Sequence, residues 1–135
     1  KRIAEKTSIP IATGENEYTR YGFRDLISTG YVPILNADAM VLGGVTEFMK
    51  VAALAQANDL DIAPHGSQEV HIHLLAAIPN GLILEFYRDT VNPMYGKIWE
   101  SELQIENGYV FPPNTPGLGL EPKWDTLEPF RVKTD

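Results

Sequence analysis

Four times within the first 90 residues, a short apolar run ends in an ionisable side chain and gives way to a longer amphipathic stretch. Residues 8–15 (SIPIATGE) alternate with period two, placing Ile9, Ile11, Thr13 and Glu15 on one face of a strand. Residues 18–28 form a helical pattern in which Phe23, Leu26 and Ile27 make the apolar stripe and Gly30 the stop. A second strand over 32–38 (VPILNAD) sets Ile34, Asn36 and Asp38 to one side. The clearest helix follows Gly43-Gly44 and covers 45–58, with Val45, Phe48, Met49, Ala52 and Ala53 at helical spacing. A third strand (60–65), a third helix (67–78) and a fourth strand (81–87) complete the series.

The order βαβαβαβ, with mostly apolar strands and helices long enough for crossovers, predicts a parallel sheet covered by helices. Four such strands make either a small open sheet or half of a (β/α)₈ barrel. A complete barrel takes about 250 residues, and this chain has 135. Residues 88–135 break the alternation. They hold six of the ten prolines, a strand-like stretch over 102–106 and a turn signal at Asn107-Gly108. A tail of that composition is expected to lie over another surface, with Trp99 and Trp124 as its anchors. The domain reading is therefore a barrel-type unit over 1–90 and a Pro-rich C-terminal tail over 91–135.

Composition closes off several functions. Lys and Arg number 11 against 18 Asp and Glu, a formal charge of −7, with no basic cluster. Such a chain does not hold nucleic acid or an anionic membrane by electrostatics. There is no cysteine, so disulfide scaffolds and thiol-based metal or redox centres are excluded, and a cytoplasmic setting is expected. No apolar run reaches the ~18–20 residues of a membrane span.

The informative residues end the strands: Glu15, Asp38, His65 and Glu85. Each shares the parity of its strand's inward-facing set, as Thr13/Glu15, Asn36/Asp38, Ala63/His65 and Ile83/Glu85. In a parallel sheet all four C-terminal ends lie at one rim, where α/β folds bind ligands. One strand-end acid is ordinarily a helix cap or a solvated group; four at the same topological position describe a site. Glu15 suits a hard oxygen ligand for Mg²⁺. Asp38 and His65, on adjacent strands, suit an oriented general base. Glu85 suits a hydrogen-bond donor to developing charge if it stays protonated. Asn36, Glu17 and Arg20 are near the rim and are the candidates for contact with a polar substrate. His71 and His73, two apart on a helix, point nearly opposite ways and read as packing or surface residues. Gly43-Gly44 reads as a strand-to-helix turn as readily as a phosphate cradle.

The motifs ATGEN (12–16), NADAMVLGGVTE (36–47), KVAALAQAND (50–59), APHGSQE (63–69), HLLAAIPN (73–80), LEFYRD (84–89) and PNTPGLGL (113–120) resemble the enolase superfamily, in its mandelate racemase subgroup. The resemblance covers about residues 9–120. It implies the C-terminal half of a TIM-type (β/α)₇β barrel, strands five to eight, plus the tail. It implies Mg²⁺ as cofactor with Glu15 as one carboxylate ligand, His65 with Asp38 as the base, and Glu85 as the acid that bonds a substrate carboxylate oxygen. The shared reaction is removal of the proton alpha to a carboxylate. TRYGFR (19–24) resembles acid-sugar dehydratases, so dehydration of a sugar acid is expected ahead of racemisation or epimerisation of a 2-hydroxy acid. A non-catalytic barrel segment is the third reading.

The resemblance also implies parts not found in these residues: two more metal ligands, a lysine base on the opposite substrate face and an α+β capping domain. Mg²⁺ is then expected to bind this stretch weakly, and the half barrel leaves two sheet edges open. The expectation is one segment of a longer polypeptide or of a two-chain enzyme, with a homo-oligomer as the assembled form; a truncated, inactive product is the alternative.

Overall fold

The computed structural model describes residues 1–132, with Tyr95 described by its backbone alone. Contacts divide the chain into two compact units, Lys1–Glu85 and Phe86–Asp135. In the first unit the order is β1 (Ala12–Thr13), α1 (Thr19–Ser28), β2 (Ile34–Leu35), α2 (Ala39–Leu42), α3 (Val45–Gln56), β3 (Asp61–Ile62) and α4 (Gln68–Ala76). The three strands form a parallel sheet in the order β1-β2-β3, with Ala12 opposite Ile34 and Ile34 opposite Asp61.

The regular strands are short, yet the parallel bonding continues beyond them toward the rim. The Asn36 N–H donates to the Thr13 carbonyl at 2.9 Å, Ala63 to Leu35 at 3.1 Å and His65 to Ala37 at 3.3 Å. Period two then sorts the side chains. Leu35, Ala37, Ile62 and Pro64 are buried under the helices, while Ile34, Asn36, Ala63 and His65 face the other way and are half-buried.

The core is one cluster built on Phe23 of α1, Leu35 and Ala37, Leu42 of α2, Phe48, Val51, Ala52 and Ala55 of α3, Ile62, and Leu74 and Ile78. Here α3 departs from the expected stripe. Val45, Met49 and Ala53 are exposed, and Val51 and Ala55 are buried instead. Both stripes share Phe48 and Ala52 and differ by a rotation of the helix about its own axis. An alanine-rich sequence leaves that rotation to the surface beneath it.

Two further differences concern local structure. The turn before α3 is preceded by α2, so Gly43 and Gly44, at φ 121° and 90°, join two helices rather than a strand and a helix. The fourth strand is reduced to one parallel bridge between Ile62 and Gly81, backed by Ile62 N–H to Asn80 O at 2.9 Å and Leu82 N–H to Ile62 O at 2.8 Å. Leu82 and Ile83 stay exposed. Among the described residues no strand borders this segment on its far side, so only one edge of it is hydrogen-bonded.

The second unit holds α5 (Tyr95–Ile98), β4 (Ile105–Glu106), β5 (Tyr109–Val110) and α6 (Trp124–Leu127). β4 and β5 pair antiparallel across Asn107-Gly108, whose φ values of 51° and 83° are those of a tight hairpin turn. Among its described residues, Leu103 and Leu120 are the buried apolar ones. Residues 133–135 of the expected tail lie outside the described residues. No helix among the described residues is long and apolar enough to cross a membrane.

Candidate active site

Each strand-end residue reaches the rim by a local device. Gly14 sits at φ 124°, and a Cβ there would come within 2.9 Å of the Phe23 ring. The position therefore takes glycine, and the chain turns sharply to present Glu15. Asp38 is the N-cap of α2, with Oδ1 accepting from the Met40 N–H at 2.8 Å. His65 leaves the ladder just before a turn through Gly66 and Ser67, both left-handed at φ 53° and 38°. Glu85 ends the first unit, and its Oε2 accepts from the Gly66 N–H at 2.6 Å.

The other three side chains converge on the His65 ring. Nδ1 lies 3.1 Å from Asp38 Oδ2, and Nε2 lies 3.6 Å from Glu15 Oε2 and 4.0 Å from Glu85 Oε2. Asp38 is 8% exposed at its side chain, His65 31% and Glu15 49%. The orienting carboxylate is thus buried, and the ring it orients opens to solvent beside a half-exposed acid. Asp38 spends one oxygen on its helix and offers the other to Nδ1, a geometry in which Nδ1–H donates and Nε2 keeps its lone pair.

A cleft of about 330 Å³ lies beside this cluster, lined by Ala12, Thr13, Gly14, Glu15, Asn16, Glu17 and Asn36. It includes two of the three residues expected to meet a polar substrate, Glu17 and Asn36. The Asn36 amide also donates to the Ala63 carbonyl at 2.7 Å, which ties β2 to the neighbouring segment. Arg20 is placed elsewhere. Its backbone N–H donates to Glu47 Oε1 at 2.9 Å and its guanidinium grips both Glu47 oxygens at 2.8 and 3.0 Å. Lys50 adds a contact of 3.2 Å to the same carboxylate. The Arg20 backbone N–H, with the cationic donors behind it, holds the Glu47 carboxyl down at about 2, against an ordinary 4.5. The bond to Glu47 raises Arg20 in return. The Arg20 guanidinium also stacks on Tyr21, 4.4 Å from the ring centroid. This clasp joins α1 to α3, and neither residue is among those lining the cleft.

His71, read from the sequence as a packing or surface residue, is a packing residue with two hydrogen-bonded ring nitrogens. The ring is wholly buried, with Nε2 taking the Ala39 N–H at 2.9 Å and Nδ1 against the Gly66 carbonyl at 2.6 Å. The available signal was helical spacing: His71 shares the buried face of α4 with Gln68 and Ile72.

Among the described residues no three His, Asp or Glu side chains are grouped to hold a metal ion. Glu15 offers a hard, half-exposed oxygen of the type Mg²⁺ prefers.

The enolase C-terminal domain-like family matches residues 1–126. Arabinonate dehydratase of Saccharolobus solfataricus is 30% identical over 138 residues, covering 98% of this chain and 36% of the relative. D-galactarolactone cycloisomerase of Agrobacterium fabrum is 35% identical over 144 residues, covering 97% and 38%. Among solved structures, L-talarate dehydratase from Polaromonas sp. JS666, complexed with Mg and L-glucarate, superimposes with a TM-score of 0.78 at 33% identity, covering 94% of this chain and 34% of that one. The chain spans about a third of the length of the curated relatives it matches. It belongs to the enolase superfamily, in the C-terminal domain family of the mandelate racemase and muconate lactonizing enzymes.

Proposed function

We propose that this chain carries the base side of an active site that removes the proton alpha to the carboxylate of a sugar acid and expels the β-hydroxyl as water. The reading makes it strands five to eight of a (β/α)₇β barrel, within an assembly whose other half and capping domain are supplied by further polypeptide. The observation that carries it is the convergence of Asp38, Glu15 and Glu85 on the two ring nitrogens of His65.

In this reading Asp38 Oδ2 accepts a hydrogen bond from His65 Nδ1–H and fixes the tautomer, and Nε2 takes the α-proton. The pair of electrons from the C–H bond passes toward the substrate carboxylate. Glu85 uses Oε2 to hold the Gly66 N–H, so Oε1 is the oxygen that would share a proton in a hydrogen bond to the carboxylate as it gains charge, keeping that proton as the charge leaves with the β-hydroxyl. The His65 imidazolium then protonates the departing β-hydroxyl, which leaves as water, and the enol tautomerises to a 2-keto-3-deoxy acid. Glu15 would be one of several carboxylates holding Mg²⁺, which when bound neutralises charge on the substrate carboxylate. Glu17 and Asn36 line the cleft where sugar hydroxyls would lie. Preorganised charge of this kind must supply most of the acceleration, because an α-proton beside a carboxylate is far too weakly acidic for an imidazole alone.

The test is an assay of the longest polypeptide containing this sequence, with Mg²⁺, against a panel of aldonic and aldaric acids. A 2-keto-3-deoxy product from at least one acid is expected; α-proton exchange in D₂O with no loss of water from any would overturn dehydration. The similarity to a lactone cycloisomerase favours one second reading, in which the same base opens a sugar-acid lactone. A panel that includes aldarolactones separates the two.

A further inference from the structure

We infer that His71 is a positioning residue: its single neutral imidazole locks together the two turns that present Asp38 and His65. The inference deepens the proposed reading, in which those two residues form the base. Ala39 directly follows Asp38, and Gly66 directly follows His65. His71 takes the Ala39 N–H on Nε2 at 2.9 Å and meets the Gly66 carbonyl with Nδ1 at 2.6 Å. One ring therefore bonds the backbone immediately after each member of the pair.

The partners dictate the tautomer. An amide N–H only donates, so Nε2 presents its lone pair; a carbonyl only accepts, so Nδ1 carries the proton. An imidazolium would set a second N–H against that of Ala39, so both bonds exist together only for the neutral ring. Asp38 Oδ1 lies 3.5 Å from Nε2 and the Phe48 ring 6.0 Å from the imidazole centroid, so α2 and α3 enclose the ring as well.

The turn it grips requires holding. Gly66 and Ser67 both adopt left-handed backbone, and such a conformation in a non-glycine residue persists where its surroundings over-determine it. Here the Gly66 N–H is held by Glu85 and its carbonyl by His71. Both ends of that link are therefore fixed, and His65 is delivered to Asp38 at 3.1 Å. A histidine that merely filled the core would need neither of these two partners.

Three variants of the longest polypeptide separate the roles. His71→Phe keeps the ring volume and removes both bonds. His71→Asn keeps a donor near Nδ1 for Gly66, and His71→Gln keeps an acceptor near Nε2 for Ala39. The first readout is the downfield NMR signal of the His65 Nδ1 proton, sheltered by Asp38. It is expected in the wild type, lost to exchange in His71→Phe, and partly restored in at least one amide variant. An undiminished signal in His71→Phe overturns the inference. The second readout is the ¹⁵N shifts of His71, expected to show a protonated Nδ1 and a bare Nε2; the reverse tautomer overturns it. With turnover, kcat and kcat/KM should fall together about a hundredfold in His71→Phe, and the loss should shrink in an Asp38→Asn background. A raised KM at unchanged kcat overturns the role. If the wild type turns over no acid sugar, the functional reading fails while the two NMR readouts still decide His71. If His71→Phe does not fold, the amide variants decide by the same signals: an undiminished His65 signal in both overturns the inference.

Discussion

His65 Nδ1 lies 3.1 Å from Asp38 Oδ2, although the residues are 27 positions apart in the chain. The parallel ladder brings them together: the His65 N–H bonds to the carbonyl of Ala37, the residue just before Asp38. The contact is thus set by strand register, and only its fine geometry by the turns beyond.

Asp38 has two separable duties, one per oxygen. Asp38→Asn keeps a cap for the Met40 N–H and is expected to retain stability while lowering kcat by about 10²–10⁴, the range of general-base contributions. Asp38→Ala should lose the same activity and about 1 kcal/mol of stability with the cap. Turnover and denaturant titration of both variants check this.

The Glu47 clasp makes stability depend on acid. With its carboxyl held at about 2 rather than 4.5, Glu47 stabilises the fold above the ordinary value, and that contribution is lost as pH falls from about 4.5 through 2. Glu47→Gln should therefore show a smaller drop in Tm between pH 5 and pH 3, conditions that bracket the upper part of this window. Equal drops in wild type and variant would remove the clasp from the account.

Arg20 is engaged in the same clasp and is not among the residues lining the cleft. Arg20→Ala is expected to lower Tm at neutral pH and leave the KM for substrate unchanged. A large rise in KM with an unchanged Tm would return Arg20 to the substrate side.

The rotation of α3 is testable by paired truncations. Phe48→Ala should cost about 3–5 kcal/mol as a buried aromatic, whereas Met49→Ala, at an exposed position, should stay within about 0.5 kcal/mol. Urea titrations of the two decide it.

Glu15 is half-exposed and is the chain's proposed hard ligand. Glu15→Gln is expected to raise the Mg²⁺ concentration needed for half-maximal turnover by more than about tenfold, with the wild type losing turnover on chelation. Unchanged metal dependence in the variant would move the ligand elsewhere.

The sequence by itself determined the alternation of strand and helix, the parity that sets Asn36 apart from Leu35 and Ala37, the Asn107-Gly108 hairpin and the four ionisable residues at the strand ends. These are local properties: period two, turn chemistry and position along a strand are written in neighbouring residues. Tertiary structure decided the rest. Which face α3 buries depends on the sheet beneath it, because a rotation of an alanine-rich helix changes little until something packs against one side. The fourth strand is a single bridge from Ile62 to Gly81, a pairing that only the folded chain displays. Arg20 went to Glu47, and His71 to the backbone of Ala39 and Gly66, because hydrogen-bond partners of buried or paired polar groups lie wherever the fold brings them. Glu47 and Ala39 sit on other elements, 27 and 32 positions away, separations no local pattern encodes.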